Sequence, residues 1–285
     1  MTQQSIFKSE HGEQEIKAKY SEWLKHWPVE KQLMAIPTRF GKTCIIASGH
    51  TDNPPVFLFH GAGTNSIMWL RDIATLTKSH RVYAVDILGQ PGHSEQNPLD
   101  FKSTDYADWI KETLDTLEVK RAIFIGMSLG GWMSLKFACA WPERVTKLAL
   151  LSPAGITNPR KRFLAKIVST GALGSTGRKI LFNNIIKNDH IEKRMADYLH
   201  LSFRHFKPKM QPIPKFKKNQ LSQLYCPTFL MVGGKDAIFD PNKILLRLAK
   251  YIPQVEVIYR EESGHMLGEY TRDLDRFLLT EYAPD

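Results

Sequence analysis

An α/β fold with a mostly parallel sheet is predicted by three observations. Apolar runs of strand length alternate with helical patterns along nearly the whole chain. The run Pro55-Val56-Phe57-Leu58-Phe59 lacks polar alternation, as a strand covered on both faces must. And His60, Ser128, Asp236 and His265 each fall just past the end of a predicted strand, the edge at which such sheets bind ligands.

The elements follow in order. From Glu13 to Trp27, Ile16, Tyr20, Trp23, Leu24 and Trp27 recur on one helical face, and Pro28 ends the helix. Lys31–Pro37 and Thr43–Ser48 read as an antiparallel hairpin about Arg39-Phe40-Gly41. After the strand 55–59 and its His60-Gly61-Ala62-Gly63 turn come a helical pattern (Ile67 to Leu76), a strand (Arg81 to Leu88) and the loop Gly89–Ser94. Tyr106–Leu117 is a helix with Ile110, Leu114 and Leu117 on one face. The strand Ala122–Ile125 leads through Gly126-Met127-Ser128-Leu129-Gly130-Gly131 into a helix from Trp132. Val145–Leu151 is the next strand. Pro227–Val232 is a strand running into Gly233-Gly234-Lys235-Asp236. A helix (Ile244–Tyr251), a strand (Val255–Tyr259), the turn Ser263-Gly264-His265 and a closing helix (Leu267–Tyr282) complete the chain.

With 285 residues, 42% of them hydrophobic, the chain can bury a large core. Cys44, Cys139 and Cys226 are too few and scattered for a disulfide framework, and none forms a C-x-x-C pair that would suggest zinc. The start Met1-Thr2-Gln3-Gln4-Ser5 lacks the pattern of a signal peptide, and no apolar run is long enough to span a membrane. A soluble, cytoplasmic protein is expected. The net charge of +10 is unevenly placed: residues 156–222 hold 15 Lys and Arg against three acids (Asp189, Glu192, Asp197), whereas the remainder holds 24 against 26.

The G-x-S-x-G turn between a buried strand and a helix is the setting in which a serine becomes a nucleophile. The turn is tight, so Gly126 and Gly130 meet a demand for small residues, and the helix behind Ser128 directs free N–H groups at the site. A serine hydroxyl needs a base, and the base an orienting acid. Of ten histidines only His265 lies downstream of Asp236, on a turn after the last strand. For the acid, the strand ending at Leu151 offers only Ser-Pro-Ala-Gly, whereas the next ends at Asp236. Asp240 competes, but its position before Pro241 suits a helix cap. The order Ser128, Asp236, His265 matches one of the three common triad arrangements. The expected oxyanion donors are the N–H groups of Leu129 and Ala62, with His60 structural. Trp69, Met127 and Trp132 are candidate walls of an apolar acyl pocket. No metal or cofactor is expected.

These motifs together resemble the α/β-hydrolase fold, from about Arg39 to Leu279. They are H-G-A-G with Trp69 beyond it, Asp86-Ile-Leu-Gly-Gln-Pro-Gly-His-Ser94, G-M-S-L-G-G, Gly234-Lys-Asp236 and Ser-Gly-His265. Each is weak singly, and their order makes the set specific. The turn Pro37-Thr38-Arg39-Phe40-Gly41-Lys42-Thr43 further resembles the opening of carboxylesterase-like proteins of Gram-positive bacteria. The resemblance implies an eight-stranded sheet flanked by helices. It implies a core of residues 1–155 and 223–285, with residues 156–222 as a helical lid, here a basic one. The segment after His265 lacks the Glu-x-Pro of many relatives, so the final helix is expected to start early. A Ser nucleophile argues against the haloalkane dehalogenase and epoxide hydrolase branches.

In the insert, Ile191, Met195, Leu199, Phe203 and Phe206 lie at helical spacing, with Lys193, Arg194, Arg204 and Lys207 between them. The plain reading is a helix packing its apolar face on the core. A sharper one is a basic face that steers acidic substrates or meets an anionic surface. Nucleic-acid binding has no supporting motif. The resulting expectation is a serine hydrolase cleaving small to medium carboxylic esters through an acyl-enzyme. A carbon–carbon bond hydrolase or thioesterase on the same residues, and a ligand-sensing protein on the same fold, remain the alternatives.

Overall fold

The computed structural model describes residues 5–171, 173–187, 191–252 and 254–282. Among these, eight strands form one sheet: β1 (Gln32–Ile36), β2 (Thr43–Ser48), β3 (Pro55–Phe59), β4 (Arg81–Val85), β5 (Ala122–Met127), β6 (Val145–Leu151), β7 (Thr228–Gly233) and β8 (Val255–Arg260). Their order is β1-β2-β4-β3-β5-β6-β7-β8. The hairpin β1–β2 and the β2–β4 pair are antiparallel and every other pair is parallel. The helices are α1 (Glu10–Leu24), α2 (Ile73–Leu76), α3 (Asp105–Thr116), α4 (Leu129–Ala140), α5 (Lys161–Gly171), α6 (Gly174–Ile186), α7 (Lys193–His205), α8 (Lys218–Leu221), α9 (Pro241–Tyr251) and α10 (Thr271–Leu279).

The central strands are buried along their length because successive side chains serve two different cores. Phe57, Phe59, Ala122 and Phe124 point to one face, with Trp109, Trp132 and Phe137. Their sequence neighbours Val56, Leu58, Ile123 and Ile125 point to the other, with Trp69, Ile73 and Phe277. This two-residue period is what makes an unbroken apolar run a central strand. Each fully buried Phe, Ile or Leu contributes roughly 1.5–3 kcal/mol, so the two cores dominate the stability.

Several boundaries differ from the sequence expectations, and three of them shape the surroundings of the candidate site. The helical pattern Ile67–Leu76 is split into a 3₁₀ turn at Ser66–Trp69 and the short α2. The Asn65 side chain caps the turn by accepting from Ile67 N. The strand expected to reach Leu88 stops at Val85, because the N–H of Ile87 turns away to His60 Nε2. The closing helix starts at Thr271, not Leu267: Leu267 (φ 67°) and Gly268 (φ 62°) are both left-handed, which no α-helix accommodates.

Residues 156–222 contribute α5 to α8, between β6 and β7. The helix read from Ile191 to Phe206 is α7, with Phe206 just past its end in extended backbone. There Phe206 forms an antiparallel bridge with Phe7, flanked by Lys8 N–H to His205 O (2.8 Å) and Lys207 N–H to Ile6 O (2.7 Å). The segment returning to the sheet is fixed to the core by Phe216 N–H to Gly155 O (2.9 Å). None of the helices among the described residues is long and apolar enough to cross a membrane.

Candidate active site

Ser128 sits at the junction of β5 and α4 with φ 52° and ψ −108°. A non-glycine residue held this way stores about 1–3 kcal/mol of strain, which the surroundings must hold in place. They do so from several sides. Ser128 N–H donates to Leu151 O (2.9 Å), and Ser128 O accepts from Trp132 N–H and Ala154 N–H (both 3.0 Å). Close approach explains the glycines. A Cβ on Gly126 would lie 2.3 Å from the backbone of Gly130, and one on Gly130 only 2.0 Å from Phe59 O.

His265 Nε2 lies 2.9 Å from Ser128 Oγ, and His265 Nδ1 lies 2.8 Å from Asp236 Oδ2. An ionised carboxylate only accepts, so Nδ1 carries the proton and Nε2 is left to accept from the serine hydroxyl. Asp236 is buried, and its other oxygen accepts from Ile238 N–H (2.7 Å) and Phe239 N–H (3.0 Å), which fixes the carboxylate plane. The end of β7 and the loop after β8 meet backbone to backbone: a Cβ on Gly233 would lie 2.1 Å from Gly264 O. That contact brings Asp236 and His265 together. Asp240 is the N-cap of α9, its side chain accepting from Lys243 N–H, as the competing reading proposed.

The loop after His265 is held by a pair that belongs to no motif. Arg71 Nη2 donates to Gly268 O, while Tyr270 Oη and Thr271 Oγ1 donate to the buried carboxylate of Asp72. Burial pushes the Asp72 carboxyl up to about 6.

The H-G-A-G turn lies beside the serine, a Cβ on Gly61 falling 3.9 Å from Ser128 Cβ. His60 is fully buried and structural: Nδ1–H donates to Gly61 O (2.8 Å) and Nε2 accepts from Ile87 N–H (3.0 Å). Burial lowers its pKa to about 4. Gly63 N–H is taken by Gln90 Oε1 (2.8 Å), whereas the N–H groups of Ala62 and Leu129 meet no acceptor among the described residues. Beneath the turn, buried Asp86 accepts from Ser66 N–H (3.0 Å), Ser66 Oγ (2.7 Å), His93 N–H (2.8 Å) and Tyr20 Oη (2.9 Å). Asp86 is thus the hub that ties its own loop to Ser66, three residues past the H-G-A-G turn, and to α1.

A cavity of about 310 Å³ is walled by Met127 and Met266, the chain neighbours of Ser128 and His265, together with Met68, Met195, Trp23, Ile191 and Tyr270, and Arg71, Glu192 and His26 add polar groups to its rim. Met127 is one of its walls. Trp69 and Trp132 are not: each is enclosed in a different core, Trp132 donating from Nε1 to Pro214 O (3.1 Å). Met127 and Met266 directly follow or precede motif residues, so their positions were readable. Trp23 and Met195 reach the cavity only through the packing of α1 and α7.

A strained serine between β5 and α4, a histidine and a buried carboxylate in one hydrogen-bonded line, and a parallel sheet with an antiparallel hairpin at one edge define a recognised class. The chain belongs to the alpha/beta hydrolase family, whose model matches residues 56–277. It is 33% identical to an uncharacterised carboxylesterase, nap, of Bacillus subtilis, over 87% of this chain and 85% of that one. It is 30% identical to carboxylesterase YbfK of the same organism, covering 87% and 86%. Among solved structures, carboxylesterase CesB (YbfK) from B. subtilis superposes with a TM-score of 0.84 at 27% identity, covering 94% of this chain and 97% of that one. Naproxen esterase from B. subtilis gives 0.79 at 30%, covering 92% and 95%.

Proposed function

We propose that this protein is a cytoplasmic carboxylic ester hydrolase that works through an acyl-enzyme on Ser128. The observation that carries the reading is the line from Asp236 Oδ2 through both nitrogens of His265 to Ser128 Oγ, at 2.8 and 2.9 Å. The relatives named as carboxylesterases support the ester as substrate class.

Ser128 Oγ attacks the ester carbonyl carbon while His265 Nε2 takes its proton. The C–O bond to the alcohol then breaks, and His265 returns the proton to the departing alkoxide. Water next attacks the acyl carbon, its proton passing through His265 to Ser128 Oγ, and the carboxylic acid leaves. Asp236 holds the imidazole in the tautomer that accepts from serine and stabilises the imidazolium. The free N–H groups of Ala62 and Leu129 hold the oxyanion, each contributing about 3 kcal/mol. Residues 156–222 act as a lid on the core formed by 1–155 and 223–285, because Ile191 and Met195 complete the cavity wall. Four methionines in that wall give a deformable apolar pocket suited to acyl groups of small to medium size.

The test is hydrolysis of p-nitrophenyl esters from acetate to laurate by wild type and Ser128→Ala. Loss of roughly 10⁶-fold in kcat is expected. Turnover that survives in the variant would sink the mechanism.

A further inference from the structure

From Arg160 to Lys187 the chain carries seven basic residues and no Asp or Glu. This stretch forms α5 and α6, which pack against each other, and α6 packs on α7 at the cavity wall. α5 turns Phe163 inward, as a surface helix should, yet the opposite side is also apolar. Leu164 is 46% exposed and Val168, one turn on, is 78% exposed. Leu173 (54%) and Ile180 (41%) continue the exposed apolar strip along α6. A helix that is apolar on both faces is normally covered on both. Here the outer face is open and bordered by Lys161, Arg162, Lys166 and Lys179.

We propose that the α5–α6 hairpin docks on the surface of an anionic lipid bilayer, with Leu164, Val168, Leu173 and Ile180 entering the headgroup boundary and the lysines and arginines meeting lipid phosphates. The charge decides the occupant. A protein groove of ordinary composition offers no reason for 28 residues without a carboxylate, whereas an acidic side chain in this stretch would be repelled by an anionic membrane. The apolar strip decides against simple polyanion binding, which needs cations but no exposed Leu, Val or Ile. None of Leu164, Val168, Leu173 and Ile180 lines the cavity walled by Met127 and Met266, so docking leaves that cavity open to ester delivered from the membrane.

The experiment is vesicle sedimentation of the full chain. Phosphatidylcholine vesicles are compared with phosphatidylcholine mixed with phosphatidylglycerol. Binding to the mixed vesicles alone, weakening with added NaCl, is expected. Leu164→Asp/Val168→Asp should lower the partition coefficient more than tenfold, and removal of a lysine (Lys161→Ala, Lys166→Ala) should lower it by about fivefold each. Unfolding midpoints and far-UV circular dichroism matching wild type establish that these surface variants fold, so neither readout depends on ester cleavage. Absence of binding to the mixed vesicles overturns the proposal, as does binding that Leu164→Asp/Val168→Asp leaves unchanged. A dimer seen by light scattering that Val168→Asp converts to monomer also overturns it, assigning the strip to a second copy. So does RNA retention that competes with the vesicles and is insensitive to Val168→Asp.

Discussion

Asparagine at position 236 would keep the shape of the acid and reverse its demand on the histidine. Its carbonyl oxygen can still accept from Ile238 and Phe239 N–H, which leaves the NH₂ facing His265 Nδ1. The ring must then present a lone pair there and carry its proton on Nε2, aimed at Ser128. Asp236→Asn is expected to lower kcat about 10⁴-fold with little change in fold, read by steady-state kinetics beside a denaturation curve. A second residue-scale expectation concerns pH. His60 is held neutral with its pKa down at about 4, against 6.5 when unfolded, so its contribution to stability is complete above 6.5. As pH falls from 6.5 towards 4, the unfolded chain alone takes up a proton, and roughly 3 kcal/mol is lost. Asp72 acts with the opposite sign. Its carboxyl is raised from 3.8 to about 6, so its contribution is complete below 3.8 and is lost as pH rises through 6. The two effects offset in wild type between about pH 4 and 6. His60→Gln should therefore gain stability on acidification across this window and Asp72→Asn should lose it. Urea midpoints at about pH 4.5 and about pH 7 check the two slopes.

At the scale of elements, the elbow between β5 and α4 is constrained by backbone atoms that cannot rotate aside. A Cβ on Gly130 would face Phe59 O at 2.0 Å and His60 O at 2.7 Å. Gly130→Ala should thus push α4 off β3, costing about 3 kcal/mol or more in chemical denaturation and removing activity with it. This element was legible in the sequence because its spacing, its small residues and the flanking apolar run all reflect one local geometry. The central strands were legible for a related reason, since burial on both faces leaves an uninterrupted apolar run. Element ends were not. The stop of β4 at Val85 depends on His60, 27 residues away, capturing the Ile87 N–H. The late start of α10 depends on two left-handed residues that Arg71 and Asp72 hold in place. The hydrogen-bonded line of Ser128, His265 and Asp236 was readable from strand order, but the contacts at Asp72 were not, because that aspartate has no motif and is defined by what packs over it.

At the scale of the molecule, the surroundings of the candidate active site are drawn from segments far apart in sequence. α1 supplies Trp23 to the cavity and Tyr20 to Asp86, and α7 supplies Met195 and, through Ser202 Oγ to Gly63 O, a tie to the H-G-A-G turn. The sequence identified α1 as an amphipathic helix without indicating where its apolar face would rest, because periodicity specifies a face and not a partner. The same limit kept Trp69 and Trp132 among the pocket candidates. Their size and position near the motifs suited a wall, and only the packing of two cores on either side of the sheet assigns them elsewhere.

The bridge between Phe7 and Phe206 carries a consequence for how the protein is made. Chain synthesised at about 5–20 residues per second separates these two partners by roughly 10–40 s. During that interval α1 has its own hydrogen bonds but nothing from α7 to cover Ile16, Tyr20 and Trp23, which are buried once the chain is finished. Tyr20 can meet Asp86 once β4 has been made, but the contact of α1 with α7 waits until the chain has reached residue 206. The apolar face of α1 therefore stays partly uncovered while residues 156–206 are made, and the cavity wall closes only when Met266 and Tyr270 follow.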